Sequence, residues 1–154
     1  MENLLIRKAT INDLDILLAF EQGVIAAERP FDSTLGDSPI HYYDIEQMIA
    51  TPEVELLVAE LQNKIIGSGY ARIEDAKPYL KHPQHAYLGF MYVVPEHRGK
   101  GVNQKIIDAL SNWSASKNIF ELRLDVYYQN NSAIKAYEKT GFMRHMIAMR
   151  KGLK

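Results

Sequence analysis

Basic residues and glycines alternate at positions 98–101, in the stretch RGKG that follows an apolar β-run and precedes a long amphipathic helix. The first turn of a helix carries main-chain N–H groups without an intrahelical acceptor and the positive end of the helix dipole. Glycine lets an anion approach such a backbone closely, and the arginine and lysine add positive charge. The stretch therefore predicts a binding site for a pyrophosphate or a similar anion. The alternative is a tight strand-to-helix turn with exposed basic residues around it.

Two common phosphate motifs do not match this sequence. A P-loop requires G-x-x-x-x-G-K-[ST], but Val94 stands five residues before Gly99, and Gly101 follows the lysine. The segment GSGYAR at positions 67–72 resembles a dinucleotide fingerprint, but it ends in arginine and lies inside a predicted strand. The stretch at 98–101 must therefore be judged by the elements that surround it.

Apolar periodicity and turn residues predict those elements. Strand-like runs occupy positions 4–7, 54–61, 65–73, 86–94, 122–126 and 143–150. Helical patterns occupy positions 14–25, 42–50, 102–113 and 132–139. The first helix follows a capping-box-like pair, Thr10 and Asp13, and contains Gly23 as a weak point, while Gly141 is expected to end the last helix. A loop rich in proline and acidic residues covers positions 28–40.

This order predicts an α/β (α+β) fold: a single domain, residues 1–154, with a mixed β-sheet and helices on both faces. The strand–helix–strand unit from Ala86 to Val126 should be parallel and right-handed. Ligands of such sheets bind beyond the carboxyl end of a strand, where a helix begins. That rule points to residues 95–104.

Composition excludes several functions for this chain of 154 residues. It has no cysteine, which removes disulfide scaffolds, thiol nucleophiles and cysteine-ligated metal sites. With 18 basic and 19 acidic side chains, it lacks the positive footprint of a protein that binds nucleic acid by bulk basicity. No apolar run is long enough for a membrane helix, and no signal-like start is present, so we expect a cytoplasmic protein without membrane contact. His82 and His85 lack further metal ligands nearby, so we expect no metal.

Two motifs in order resemble the GNAT superfamily of acetyl-CoA-dependent N-acetyltransferases. The family pattern V-x-P-x-x-R-G-x-G corresponds to residues 93–101, from Val93 to Gly101. The later pattern N-x-x-A-x-x-x-Y-x-x-x-G-F corresponds to positions occupied here by Asn130, Ala133, Tyr137, Gly141 and Phe142. One departure is Asn103, which stands where the family has a small residue. The resemblance covers essentially the whole chain.

The resemblance implies transfer of an acetyl group from acetyl-CoA to a primary amine of a small molecule or peptide, without a covalent intermediate. It implies that the main chain of Met91, Tyr92 and Val93 pairs with the pantetheine arm. The amides that would hold the pyrophosphate are those of Arg98, Gly99, Lys100, Gly101, Val102, Asn103 and Gln104. Asn130 would contact the cofactor, and Tyr137 would lie near the sulfur and donate a hydrogen bond to the leaving thiolate. The resemblance is compatible with a homodimer.

The base that deprotonates the amine is a separate question. Asp125 occupies the position that holds a glutamate base in the ribosomal-protein alanine N-acetyltransferases, although a strand carboxylate can instead pair with Arg123 or Arg72. Glu28 and Asp32, in the acidic loop, could act through water, bind a cationic substrate, or simply be solvated. Tyr70 and Arg72 are further candidates for substrate binding. A catalytically silent acyl-CoA-binding sensor is the alternative to an enzyme.

Overall fold

The computed structural model describes residues 3–154, and the chain divides into two compact units, Met1–Leu124 and Asp125–Lys154. The first unit contains five strands: β1 (Leu5–Lys8), β2 (Val54–Leu61), β3 (Lys64–Asp75), β4 (Gln84–Val93) and β5 (Leu122–Arg123). It also contains three α-helices: α1 (Leu14–Glu28), α2 (Ile45–Ala50) and α3 (Val102–Ser116). The second unit contains α4 (Asn131–Lys139). No helix within residues 3–154 is long and apolar enough to span a bilayer.

The five strands form one mixed sheet in the order β1-β2-β3-β4-β5. The first four strands pair antiparallel with their neighbours, whereas β4 and β5 are parallel. The long helix α3 connects these two parallel strands, as the strand–helix–strand pattern predicts. The expected mixed sheet is therefore confirmed.

Helices cover both faces of this sheet. On one face, Leu56 and Val58 of β2 join Leu17 and Phe20 of α1 in the main hydrophobic cluster. On the other face, a Cβ atom on Gly69 would lie 2.8 Å from Ile106 of α3. Because side chains alternate along a strand, β2 and β3 supply apolar surface to both layers. The predicted arrangement of helices on both faces is confirmed.

Helix α1 runs without a break through Gly23, the position that the sequence marks as weak. A Cβ atom there would lie 2.7 Å from the ring of Tyr92 on β4. The glycine therefore allows α1 to pack closely against β4. At the start of this segment the predicted capping box is present, and the Thr10 amide donates to the Asp13 carboxylate at 2.8 Å.

The second helix is shorter than the predicted span of 42–50, because it begins at Ile45. Asp44 caps it by accepting a hydrogen bond from the Gln47 amide at 3.2 Å. The amides of Tyr42 and Tyr43 instead donate to the carboxylate of Glu21 on α1, each at 2.8 Å. These two residues therefore lie outside the helix, in a segment whose main chain is held by the Glu21 carboxylate.

Two predicted strands need correction. The run at 122–126 pairs with β4 only at Leu122 and Arg123 among the described residues. The run at 143–150, predicted to be a last strand, forms neither helix nor strand. Alternation of apolar and polar residues favours an extended backbone, but a strand also needs a partner for its main chain. The large apolar residues of this terminal segment are more than three-quarters exposed; they are Met143, Met146, Ile147, Met149 and Leu153.

The second unit is organised by α4. Asn130 caps the helix, since its side-chain oxygen accepts a hydrogen bond from the Ala133 amide at 3.2 Å. At the other end Gly141 has φ of +102°, and the Phe142 amide donates to the carbonyl of Tyr137 at 3.2 Å. This pattern is a Schellman motif, so the prediction that Gly141 ends the helix is confirmed.

Candidate functional site

Strand β4 contains a bulge that the sequence analysis did not predict. Ser68 pairs with Tyr92, but Tyr70, two residues later, pairs with Gly89, so β4 holds one extra residue in this interval. Phe90 at the bulge has φ of +56°. A bulge re-aims the neighbouring main-chain groups and bends the strand. The lone Gly89 within an apolar strand is the sequence signal that could have indicated it.

Beyond the bulge, β4 continues past the reach of β5. Within the described residues, β5 pairs with β4 at Ala86 and Tyr87 and then ends. The main chain of β4 from Leu88 to Val93 therefore has no partner from β5. This edge includes Met91–Val93, the segment expected to pair with an extended ligand.

The turn that follows β4 requires glycine at two positions. Gly99 and Gly101 have φ of +74° and +85°, a backbone conformation that strains residues with a Cβ atom. A Cβ atom at either position would meet nothing within 4 Å. Glycine is therefore needed here for the backbone angle and not for space against the protein. We call residues 98–104 the anion turn.

The start of α3 supplies the donors of the anion turn. The first hydrogen bond of α3 joins the Lys105 amide to the Gly101 carbonyl at 3.1 Å. The amides of Val102, Asn103 and Gln104 precede that bond and so have no acceptor within the helix. The Val102 side chain is buried and fixes the turn against the sheet, and the first turn of α3 contains no acidic residue that would repel an anion.

Arg98 braces the anion turn to the end of β4. Its Nε donates to the Val93 carbonyl at 2.7 Å, and its guanidinium lies 5.4 Å from the centre of the Tyr92 ring. The Arg98 amide donates to the Pro95 carbonyl at 3.3 Å. The expectation that this amide is a free donor is therefore corrected, and the donor set begins at Gly99.

Glu28 lies at the end of α1, where the acidic loop begins. The Tyr42 hydroxyl donates to its Oε1 at 2.8 Å. Burial raises the pKa of Glu28 above its ordinary value, and the charge of Asp32 raises it further, while the bond from Tyr42 opposes this shift. Asp32 itself accepts hydrogen bonds from the amide and hydroxyl of Thr34. Glu28 thus has the environment of a proton acceptor, whereas Asp32 caps a turn.

The other two predicted substrate residues, Tyr70 and Arg72, are in contact with each other but differ in exposure. Tyr70 is 3% exposed and packs edge-on against Tyr43, with ring centres 5.8 Å apart, so it belongs to the core. Arg72 is paired with Glu74 and lies over the rings of Tyr70 and Tyr87. Arg72 lines a depression of about 290 Å³ beside α2. A role for Arg72 in substrate binding stays a prediction.

Residues 41–43, which we call the tyrosine loop, were not singled out by the sequence analysis. Tyr43 stacks on Phe90 with ring centres 4.6 Å apart, and a backbone hydrogen bond from Phe90 acts on its hydroxyl. Burial raises the pKa of Tyr43 far above its ordinary value, so it stays neutral. Tyr42 contacts Glu28, and Tyr43 contacts the bulge of β4. No short motif marks these contacts, because the partners are distant in sequence.

Three predicted site residues lie in the second unit. Asp125 is exposed, Asn130 caps α4, and Tyr137 lies on α4 with its ring in edge contact with Phe142 at 5.9 Å. Of the two arginines considered as partners of Asp125, Arg123 pairs with Glu121 and Arg72 pairs with Glu74. The roles of these three residues stay predictions.

The histidine pair considered for metal binding lies in the first unit. The rings of His82 and His85 are 5.8 Å apart, and His85 contacts Glu74 at 3.3 Å. Within residues 3–154, no three side chains of metal-binding type form a group that could hold an ion.

Comparison with known families identifies the chain. The model of the acetyltransferase (GNAT) family matches residues 22–142, which include the end of α1, the bulged strand and the anion turn. The chain belongs to the GNAT family. Acetyltransferases of this family use acetyl-CoA as the acyl donor.

Individual proteins agree with this assignment. An uncharacterized N-acetyltransferase, YycN of Bacillus subtilis, is 29% identical over 125 residues, which cover 80% of this chain and 78% of YycN. A mutant of the BH1408 protein of Bacillus halodurans has a TM-score of 0.88 and 19% identity, over 97% of this chain and 99% of that one. A predicted acetyltransferase of Clostridium acetobutylicum, solved with acetyl-CoA, has a TM-score of 0.70 and 22% identity, over 97% and 96% of the two chains. The last two show a shared fold.

Proposed function

We propose that the protein is an N-acetyltransferase that moves an acetyl group directly from acetyl-CoA to a primary amine. The observation that carries this proposal is the anion turn, where two positive-φ glycines precede α3, shortly after a strand whose last residues are not paired with β5. This combination suits a ligand with both a diphosphate and an extended amide-containing arm. Coenzyme A has both.

In this proposal the donor binds to main-chain groups of the first unit. The diphosphate accepts hydrogen bonds from amides between Gly99 and Gln104, with the dipole of α3 and the charge of Lys100 adding attraction. The pantetheine arm pairs with Met91–Val93 at the edge that β5 leaves open. Asn130 adds a cofactor contact, as the family resemblance implies.

The chemistry is attack of the amine nitrogen on the thioester carbonyl, followed by loss of the coenzyme as a thiolate. A main-chain N–H of β4 stabilises the oxyanion of the tetrahedral intermediate, a type of contact worth roughly 10²–10³ in rate. The proton lost by the nitrogen passes to a base, and Tyr137 gives a proton or a hydrogen bond to the sulfur. The carbon–nitrogen bond forms in the first step, the carbon–sulfur bond breaks when the intermediate collapses, and no oxidant or metal takes part in this scheme.

We assign the base to Glu28. A lysine-like amine with a pKa near ~10.4 is mostly protonated at neutral pH and must lose a proton before it attacks. Glu28 is half-buried, is hydrogen-bonded to Tyr42 and has a raised pKa, as a base needs. Asp125, exposed in the second unit, is the rival. With Asp32 close enough to act on Glu28, the acceptor side attracts cations, which favours a small-molecule or peptide amine that arrives protonated.

The first test is binding of acetyl-CoA. Ligand at about 100 times its dissociation constant adds ~2.7 kcal/mol of stability, which should raise the melting midpoint by roughly 5–11 °C. The absence of any shift at millimolar acetyl-CoA would contradict the proposed donor site.

The second test separates an enzyme from a silent acyl-CoA sensor. Thiol release from acetyl-CoA is followed with a panel of polyamines, lysine, peptide amino termini and aminosugars. An enzyme releases thiol with at least one amine, whereas a sensor binds acetyl-CoA and releases none. With an active amine, Tyr137→Phe should lower turnover much more than cofactor affinity, and equal turnover would remove the role assigned to Tyr137.

A further inference from the structure

Glu21 is a completely buried carboxylate on α1, with 0% of its surface exposed. Its Oε2 accepts the main-chain amides of Tyr42 and Tyr43, each at 2.8 Å, and its Oε1 lies 2.8 Å from Nδ1 of His41. A buried carboxylate is costly unless it is fully hydrogen-bonded. Here every one of these contacts goes to the tyrosine loop, which is 20 or more residues away in sequence.

Two side chains of the tyrosine loop contact different elements of the fold. Tyr42 reaches back to α1 and donates to Glu28, which lies two helical turns after Glu21. Tyr43 reaches β4 and stacks on Phe90 at the bulge. Since Glu21 accepts hydrogen bonds from the successive amides of Tyr42 and Tyr43, it fixes the main-chain positions from which both side chains extend.

We propose that Glu21 is a positioning residue of the acceptor side: its carboxylate holds the tyrosine loop so that Tyr42 fixes Glu28 and Tyr43 braces the bulge of β4. The importance of Glu28 in this inference rests on the proposed function, but the coupling from Glu21 through Tyr42 to Glu28 is a property of the protein alone. Glu21 itself need not touch a substrate.

The chain offers a comparison for a purely structural carboxylate. Asp13, 6% exposed, accepts the Thr10 amide and a bidentate pair from Arg7 at 2.9 and 3.0 Å. Both carboxylates are buried and both hold main-chain groups. The contacts of Asp13 lie in the β1–α1 connection and do not include the tyrosine loop, so its loss should affect stability alone.

The consequence for Glu28 has a definite sign. Burial is the largest cause of the raised pKa of Glu28; the Tyr42 hydrogen bond favours the ionised form and the charge of Asp32 disfavours it, with Tyr43 nearby. If the tyrosine loop loosens while Glu28 stays buried, the Tyr42 bond weakens and the pKa of Glu28 rises. Losing one hydrogen bond to a charged group should shift that pKa by about one pH unit.

The test follows the carboxyl carbon of Glu28 by ¹³C NMR titration, with the signal assigned by its loss in Glu28→Gln. Tyr42→Phe removes the hydroxyl. Glu21→Leu replaces the carboxylate by an apolar side chain of similar size, and Glu21→Gln keeps one neutral acceptor oxygen. Asp13→Asn is the matched control. We expect Tyr42→Phe and Glu21→Leu to raise the Glu28 pKa by about one unit each. Glu21→Gln should raise it less, and Asp13→Asn should leave it unchanged while lowering the melting midpoint.

The double variant Glu21→Leu with Tyr42→Phe decides whether the effects share one route. A shift no larger than that of Tyr42→Phe alone supports the inference, and additive shifts overturn it. Wild-type pKa values in both Glu21 variants, with only a lower melting midpoint, would also overturn it. If Glu21→Leu fails to fold, Glu21→Gln alone and with Tyr42→Phe gives the same decision.

This readout does not depend on turnover. If the wild-type protein acetylates no amine while the Glu28 shifts appear as expected, the proposed function fails and the positioning role stands. If thiol release occurs but Glu28 titrates identically in the Glu21 variants, the positioning role fails and the proposed function stands. With an active amine, Glu21→Gln should also raise the KM for the amine without changing that for acetyl-CoA.

Discussion

The anion turn and the tyrosine loop both contact β4, but different forces fix them. The anion turn is set by residues within a few positions of each other: two glycines with positive φ, a helix start and the bond from Arg98 to Val93. The tyrosine loop has no regular structure and is held by Glu21, about twenty residues earlier. The anion turn can thus be specified by a short motif, whereas the tyrosine loop depends on contacts between residues that are distant in sequence.

The strongest test of this division concerns the base. Glu28→Gln should lower kcat by roughly 10²–10⁴-fold, because it removes general-base catalysis, while leaving the affinity for acetyl-CoA unchanged. Asp125→Asn is the matched variant, and we expect less than a tenfold change. Steady-state rates with the best amine of the panel measure both. If Asp125→Asn lowers kcat strongly and Glu28→Gln does not, the base is Asp125 and Glu28 serves only to bind the amine.

A second test concerns the anion turn. Gly101→Val places a β-branched residue at φ of +85°, which costs ~1–2 kcal/mol and disfavours the backbone conformation that orients the donor amides. We expect the Kd for acetyl-CoA to rise at least about tenfold by calorimetry. Gly141→Ala is the control, because φ is also positive there, at +102°, outside the anion turn. An equal loss of affinity in both variants would mean that backbone strain alone, and not the local geometry of the donors, is responsible.

A third test concerns Asp13, whose hydrogen bonds are local in sequence, in contrast to those of Glu21. The hydrogen bonds from Arg7 lower the pKa of Asp13, with burial opposing and the Thr10 amide assisting. Since the folded-state pKa is lowered, this stabilisation is present above the ordinary aspartate value of 3.8 and is lost as the pH falls through the folded value. Asp13→Asn should lower the free energy of unfolding at neutral pH by ~1–3 kcal/mol. In urea titrations from pH 7 to pH 2, the variant should also lack part of the acid sensitivity of the wild type.

The smallest expected effect is at Gly23. Gly23→Ala gains up to ~1 kcal/mol of helix propensity, but it crowds the Tyr92 ring, an overpacking cost of ~1–3 kcal/mol. The ring is held by Phe20, 4.8 Å away, and by Arg98, so it cannot move freely. We expect the melting midpoint to fall by roughly 2–4 °C. Adding Tyr92→Leu should remove the crowding and reveal the gain, and a double variant less stable than either single one would refute this account.

The sequence predicted what local patterns specify. The mixed sheet, the amphipathic helix α3, the capping box at Thr10 and the Schellman glycine at position 141 follow from periodicity and turn chemistry, and all are present. The anion turn also followed from local residue types. The bulge at Phe90, the late start of α2 and the contacts of Glu21 depend on tertiary partners. A pattern in one segment does not contain that information, and the same reason explains why the run at 143–150 predicted a strand that does not form.

The terminal segment also concentrates sulfur at the surface. Met143, Met146 and Met149 are three of the six methionines of the chain, and all three are more than 80% exposed. Thioethers in such positions react with peroxide to give sulfoxides, which turn flexible apolar side chains into polar ones. Peroxide should therefore oxidise the last dozen residues first, and the strands and helices should stay intact for longer.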